Sequence, residues 1–206
     1  MDIKQINHLL GNIDIYLLDQ ILKDRFDHSM RILDAGCGEG RNTHFFIQEG
    51  YQIFGVDIHP MSIQMARMYA RTLDRQFDPL RFQVAPVEEL PFHSGAFDVL
   101  ISSAVMHFAR DKAHFLSMFS EQMRVLKSGG IFWLRMCSDA GGLFKLGTPT
   151  GEGRKLLPDG TERFILNEKL TKALIREFHL NVLEPPKSVV VHGQRAMGTY
   201  VFQKGR

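Results

Sequence analysis

The sequence has few cysteines, no long apolar run and no excess of charge of one sign, and each absence excludes a class of protein. Cys37 and Cys137 are the two cysteines among 206 residues. They are too few for a disulfide framework and lack metal-ligand spacing, so we expect reduced thiols, no metal site and a cytoplasmic location. No 18-residue apolar stretch or secretory core occurs near the start, so the sequence predicts neither a membrane partner nor a targeting segment.

Charge is nearly balanced, with 25 Lys and Arg against 23 Asp and Glu. No segment carries five consecutive like charges, so the sequence predicts no basic groove and no nucleic-acid partner. Apolar residues make up 44% and charged residues 23%, an ordinary globular composition. A length of 206 residues fits one domain, which we expect to span residues 1–206. Nothing in these patterns indicates an oligomeric state.

Short apolar runs alternate with segments of helical periodicity. Strands are predicted at 31–35, 51–56, 97–102, 131–136, 182–191 and 197–203, with helices at 60–74, 111–127 and 167–178. This βαβ alternation predicts an α/β fold with a mostly parallel sheet, helices on both faces and right-handed crossovers.

Two segments lie outside this alternation. Residues 1–28 have apolar residues at helical spacing and predict an amphipathic helix that serves as a lid. Residues 138–164 contain six glycines and two prolines, which predicts a long irregular insertion with a turn at Pro158-Asp159-Gly160. We expect this insertion to form the wall of an acceptor pocket, because ligands in such folds bind beyond the carboxyl ends of the strands.

The most informative motif is a glycine loop after the first predicted strand. It reads Asp34-x-Gly36-x-Gly38-x-Gly40 and leads into a helix predicted to begin near Arg41. Glycines permit positive φ and close approach of the backbone to a ligand, and a helix start offers unpaired N–H groups. Asp34 would repel the pyrophosphate of a dinucleotide but favours a ligand with an ammonium group, such as the methionine end of S-adenosylmethionine.

A second acidic residue, Asp57, ends the second predicted strand 21 residues beyond Gly36. This is where a βαβ unit presents a carboxylate to a ribose diol, which it binds by accepting two hydroxyl protons. Ribose binding follows whether the cofactor is S-adenosylmethionine or a nicotinamide dinucleotide.

Five ordered segments carry a resemblance to a known family. They are Leu33-Asp-Ala-Gly-Cys-Gly-Glu-Gly40, Val56-Asp57, Glu88-Glu-Leu-Pro-Phe92, Phe97-Asp-Val-Leu-Ile-Ser-Ser103 and Leu126-Lys-Ser-Gly-Gly130. Together they resemble the class I S-adenosylmethionine-dependent methyltransferases, particularly the type-11-like and tellurite-resistance-type members, over about residues 30–137. The resemblance implies a Rossmann-like, seven-stranded, mostly parallel sheet with an antiparallel last strand.

The resemblance also implies a role for each matching residue. Gly36 and neighbouring amides of the loop would hold the methionine end, Asp57 the ribose and Ile58 one face of the adenine. Val87 and Glu88 would line the adenine edge, and the backbone of Ser103 would face the amino-acid end. Pro86 stands where the family usually has Asp, so adenine contacts would fall to the amide of Val87.

Methyl transfer from a sulfonium requires alignment of donor and acceptor and no dedicated nucleophile. The candidates for steering or deprotonating an acceptor are His107 after the fourth strand and His192 and Arg195 before the last strand. Tyr16 would close over the cofactor or lie in the core. The chain has neither an Asn/Asp-Pro-Pro-aromatic motif nor a Pro-Cys nucleophile, which favours a small-molecule acceptor over nucleic acid.

Two alternatives remain at this point. One is a nicotinamide-dependent oxidoreductase on a similar sheet, which Asp34 and the glycine spacing disfavour. The other is a regulatory or scaffold protein that keeps the cofactor site without transfer activity.

Overall fold

The structure is a computed structural model that describes residues 2–139 and 147–206. The helices are α1 Ile3–Leu10, α2 Ile15–Leu22, α3 His44–Gln48, α4 Pro60–Leu73, α5 Lys112–Val125 and α6 Glu168–Glu177. The strands are β1 Arg31–Ala35, β2 Gln52–Asp57, β3 Phe82–Val84, β4 Phe97–Ser103, β5 Leu126–Cys137, β6 Thr148–Gly151, β7 Arg154–Leu156, β8 Glu162–Phe164, β9 Leu180–Val191 and β10 Arg195–Lys204. Single turns of 3₁₀ helix occupy Pro79–Arg81 and Met106–Phe108.

The central feature is a seven-stranded sheet in the order β3-β2-β1-β4-β5-β10-β9. Neighbouring strands are parallel from β3 through β2, β1 and β4 to β5. Strand β10 runs antiparallel to both of its neighbours, β5 and β9. This confirms the predicted Rossmann-like sheet with an antiparallel last strand. The strand order reverses between β1 and β4, and this switch point is where open α/β sheets bind ligands.

Helices cover both faces of the sheet, as predicted. Ile32 packs in one core cluster with Leu17 of α2, whereas the adjacent Leu33 packs in the other cluster with Phe115 of α5. The same alternation continues in β5, where Trp133 faces the α2 side and Phe132 the α5 side. Both faces are buried because successive side chains of a strand point to opposite sides.

The N-terminal segment forms two helices and not the single helix that the periodicity predicts. Gly11 has φ +56° and ends α1, and Asp14 then caps α2 by accepting a hydrogen bond from the Tyr16 amide at 3.0 Å. The positive φ at Gly11 accounts for the break, since a left-handed residue ends a helix. None of the described helices has the length and apolar character needed to cross a membrane.

Residues 138–164 were predicted to form an irregular insertion, and for the described part of this segment that prediction is wrong. Residues 140–146 lie outside the described residues. Strands β6, β7 and β8 form a three-stranded antiparallel sheet. The predicted turn is confirmed, because the Gly160 amide donates to the Leu157 carbonyl at 2.9 Å. Phe164 anchors this small sheet by stacking on Phe115 of α5, with ring centroids 4.6 Å apart.

Candidate functional site

A cavity of about 480 Å³ lies at the carboxyl ends of the central strands. Its volume falls in the range typical of small-molecule sites. Six residues predicted from the sequence line it together: Gly36, Asp57, Ile58, Val87, Glu88 and Ser103. The structure thus brings together residues from the loops after β1, β2, β3 and β4.

The Asp57 carboxylate is held in place by two backbone amides. One oxygen, Oδ2, accepts from the Gly38 amide at 2.9 Å, and the other, Oδ1, accepts from the His59 amide at 2.9 Å. Each carboxylate oxygen can accept a second hydrogen bond. Asp57 can therefore receive a pair of adjacent hydroxyl groups without moving.

The glycine loop is tied to β2 through its own amides. The amides of Gly36 and Cys37 both donate to the Val56 carbonyl at 2.8 Å. The protein itself thus engages both amides, and their contact with the methionine end of the cofactor stays a prediction. Gly36 has φ +82°, and a Cβ there would lie 2.2 Å from Cγ2 of Val105, so only glycine fits.

Gly38 and Gly40 do not line the cavity, although the prediction placed both in the cofactor site. Gly38 contributes its amide to Asp57, and the Gly40 amide donates to the Cys37 carbonyl at 3.0 Å. The predicted helix near Arg41 begins only at His44 and is five residues long. The chain makes a further turn first, because the Thr43 amide donates to the Gly40 carbonyl at 2.9 Å.

Asp34, also predicted as a cofactor-binding residue, is buried in β1 next to the loop and is not among the residues that line the cavity. Within the described residues neither of its carboxylate oxygens has a hydrogen-bond partner. Burial raises the pKa of Asp34 to about 7, the Arg41 charge opposes this rise, and the Asp57 charge adds to it. A buried carboxylate without a partner is destabilising on its own, so this position suits a cationic ligand group.

Glu88, at the predicted adenine edge, is fixed by a histidine that the sequence did not single out. The Arg110 amide donates to Nδ1 of His114 at 3.1 Å, so in the neutral imidazole the proton resides on Nε2. That nitrogen lies 3.1 Å from Oε1 of Glu88, to which it can donate. His114 and Pro86 also line the cavity.

An ion cluster around the buried Asp14 carboxylate joins the start of α2 to the cavity. Asp14 accepts from Arg135 at 2.6 Å and from Arg41 at 3.2 Å. Arg41 also lies 3.5 Å from the Ser103 hydroxyl, and the Arg135 guanidinium lies 5.5 Å from the Tyr16 ring centroid. The N-terminal helices are therefore held against the glycine loop beside the predicted amino-acid end.

His107 lies behind the cavity and not among its lining residues. Its ring is buried, and Nδ1 accepts a long hydrogen bond of 3.4 Å from the Cys137 amide. Burial and the charges of Arg163, Arg195 and Arg135 lower its pKa to about 3. His107 is thus a neutral, weak base at physiological pH.

The other two predicted catalytic residues both belong to the β9–β10 hairpin, and neither is among the residues that line the cavity. His192 is exposed in the turn between β9 and β10, with φ +50°. Arg195 reaches the insertion, where its Nη1 lies 3.2 Å from Oδ2 of Asp159. Cys137 is buried, and burial raises the pKa of its thiol to about 11, which makes it unreactive.

In residues 2–139 and 147–206, no group of three or more His, Cys, Asp or Glu side chains is arranged to hold a metal ion.

Comparisons with known proteins agree with this geometry. A family model described as a methyltransferase domain matches residues 33–134. An uncharacterised methyltransferase of Synechocystis is 32% identical over 104 residues, which make up 50% of this chain and 45% of that protein. The 2-heptyl-1-hydroxyquinolin-4(1H)-one methyltransferase of Mycobacteroides abscessus is 33% identical over 76 residues, or 37% of this chain and 33% of that protein.

Solved structures show the same fold over most of the chain. A crystal structure of a SAM-dependent methyltransferase from Methanosarcina mazei matches with a TM-score of 0.74 at 23% identity, covering 90% of this chain and 97% of that one. The chain spans less than half the length of the two curated relatives above.

Proposed function

Because the chain belongs to the class I S-adenosylmethionine-dependent methyltransferases, we propose that it binds S-adenosylmethionine in the 480 Å³ cavity and methylates a small-molecule acceptor. The observation that carries this proposal is the orientation of Asp57, whose two oxygens are fixed by the Gly38 and His59 amides at the cavity wall. A carboxylate fixed in this way is suited to the ribose diol.

The other residues of the cavity fit the remaining parts of this cofactor. Ile58 is 59% exposed and offers an apolar surface to the adenine ring. Glu88, oriented by His114, can accept a hydrogen bond from the exocyclic amine, which compensates for proline at position 86. Asp34 does not line the cavity but lies beside the glycine loop, and its buried carboxyl group, without a partner in the described residues, complements an ammonium group.

The cofactor, when bound, supplies a methyl group attached to a good leaving group, its sulfonium. The protein therefore has to align the two substrates and exclude water. The ordered N-terminal helices, tied by Asp14 to Arg41 and Arg135, support a lid role in this exclusion. The small sheet of β6, β7 and β8 supports the proposed acceptor wall, since β8 packs against the 106–108 turn beside the cavity.

A small-molecule acceptor is supported by the relative in Mycobacteroides abscessus, whose name describes a quinolone as its substrate. The near-balanced charge of the chain also favours a small molecule over nucleic acid. The nicotinamide alternative loses its support, because Asp34 lies beside the loop that would have to hold a pyrophosphate.

Calorimetric titration with S-adenosylmethionine, S-adenosylhomocysteine and NAD tests this proposal. We expect micromolar binding of the first two, and Asp57→Ala should weaken both about tenfold or more, since a charge-assisted pair of hydrogen bonds is lost. Asp74→Ala is the matched control, because Asp74 accepts the same kind of bond from the amide two residues on, at 2.8 Å, outside the cavity. Binding of NAD alone, or equal affinity in the Asp57 variant, would refute the proposal.

A further inference from the structure

Two arginines lie near the cavity on the side of the insertion, although neither is among the residues that line it. The Arg163 guanidinium of β8 lies 4.7 Å from the ring centroid of Phe108, and Phe108 itself lines the cavity. Arg195, at the start of β10, is joined to the same region by its contact with Asp159 in the insertion turn, at 3.2 Å. Neither arginine takes part in the proposed cofactor contacts.

Positive charge exceeds negative charge at this place. The Arg163 Nη1 donates to the Glu162 carbonyl at 2.9 Å, and within the described part of the chain Arg163 forms no ion pair. Arg195 pairs with Asp159, and the charge of Arg163 also acts on that carboxylate. The buried Nε of Arg195 lacks a partner among the described residues. The low pKa of His107, to which both arginine charges contribute, is consistent with this excess.

We propose that Arg163 and Arg195 bind a carboxylate group of the methyl acceptor, so that the acceptors of this protein are small organic anions. The inference rests on the proposed function, because it places the acceptor beside the cofactor cavity across Phe108. Guanidinium groups suit this role because their planar donor forks match a carboxylate and stay charged at all physiological pH values.

The position of the two arginines supports the assignment. Arg163 belongs to the small sheet and Arg195 to the central sheet, so an anion between them would join the acceptor wall to the core. The Phe108 ring, 57% exposed, offers an apolar surface for the rest of such a molecule. A neutral acceptor would leave the Arg163 and Arg195 charges to share the Asp159 carboxylate at a partly desolvated site, which is unfavourable.

Binding of matched acid and amide pairs to the protein saturated with S-adenosylhomocysteine tests this inference. The probes are benzoate with benzamide, phenylacetate with phenylacetamide, and 4-hydroxybenzoate with 4-hydroxybenzamide, titrated by calorimetry. We expect at least one acid to bind about tenfold more tightly than its amide, and Arg163→Gln and Arg195→Gln each to remove most of that preference. Arg81→Gln is the matched control, since Arg81 also lies over an aromatic ring, 5.5 Å from the Phe54 centroid, away from the cavity.

A second variant tests the inference without removing an arginine. In Asp159→Asn, Oδ1 still accepts from the Thr161 amide and hydroxyl, whereas the charge that faces Arg195 is lost. We expect the acid to bind more tightly to this variant, by about threefold or more, because a competing carboxylate has been removed.

The outcomes separate the inference from the proposed function. Failure of the wild-type protein to bind S-adenosylhomocysteine would refute the proposed function itself. Normal binding of S-adenosylhomocysteine with no acid preferred over its amide would overturn the inference alone. Equal weakening of acid and amide in the arginine variants, or weaker acid binding in Asp159→Asn, would also overturn it.

Discussion

Replacing Asp34 with asparagine should stabilise the ligand-free protein at neutral and alkaline pH while weakening its binding of S-adenosylmethionine. Asp34 is 1% exposed, and burial raises its pKa from 3.8 to about 7. A rise of that size means that burying the ionised carboxylate costs about 4 kcal/mol more than burying the neutral acid. This cost falls on the folded protein alone, because the unfolded chain keeps Asp34 in water.

The pH dependence has a definite sign. The folded protein holds the Asp34 proton more tightly than the unfolded chain, so the contribution of this group to stability is fully present below pH 4. It is lost as the pH rises to about 7 and stays lost above that pH. Asparagine does not ionise, and its buried amide lacks partners as the neutral acid of Asp34 does, at a similar cost of about 1 to 3 kcal/mol. These two costs nearly cancel, so the gain expected at pH 8 is about 4 kcal/mol, and the gain expected at pH 5 is smaller.

Urea unfolding of the wild type and of Asp34→Asn at pH 5 and pH 8 measures this difference. Asp74→Asn, at a half-buried position outside the cavity, is the control and should change stability equally at both pH values. Calorimetry should show weaker S-adenosylmethionine binding by Asp34→Asn, because the ammonium group loses its counter-charge. The reasoning is refuted if Asp34→Asn gains no stability relative to the wild type between pH 5 and pH 8.

Two further predictions concern the loop and the N-terminal helices. Gly36→Ala should lower the free energy of unfolding by about 3 kcal/mol, because its Cβ would lie 2.2 Å from a methyl group at φ +82°. Gly38→Ala should cost only about 1 kcal/mol, since no atom lies within 4 Å, and equal losses in urea unfolding would contradict this. Asp14→Asn should speed amide exchange in α2 about tenfold, because its ion pairs with Arg41 and Arg135 weaken. An equal increase throughout the central sheet would count against that view.

The central sheet could be predicted from the sequence because its strands carry strong local patterns. Strand β1 occupies Arg31–Ala35, as predicted, since a buried parallel strand is a short apolar run before a glycine turn. Strand β3, at Phe82–Val84, was missed because it is three residues long and includes a single buried residue. Strands β6, β7 and β8 were missed for the same reason, as charged residues and glycines interrupt any alternation.

The cofactor side of the site followed from the sequence for a topological reason. Residues directly after parallel strands meet at one edge of the sheet, so the positions of Asp57 and Ser103 could be anticipated. The pairing of Asp14 with Arg135 could not, because 121 residues separate them and no local pattern connects them. The contact of His114 with Glu88 spans 26 residues and depends on how α5 packs over the adenine edge.

The two edge strands of the central sheet, β3 and β9, disfavour pairing with an additional strand. Strand β9 contains Pro185 and Pro186, which have no N–H group to offer to an additional strand. The neighbouring Lys187 forms ion pairs with Asp19 of α2 and with Glu184, so charged groups lie along the same edge. At the opposite edge, β3 is only three residues long and gives an incoming strand little to pair with. The protein can therefore expose both edges at high concentration with little tendency to recruit a foreign strand and aggregate.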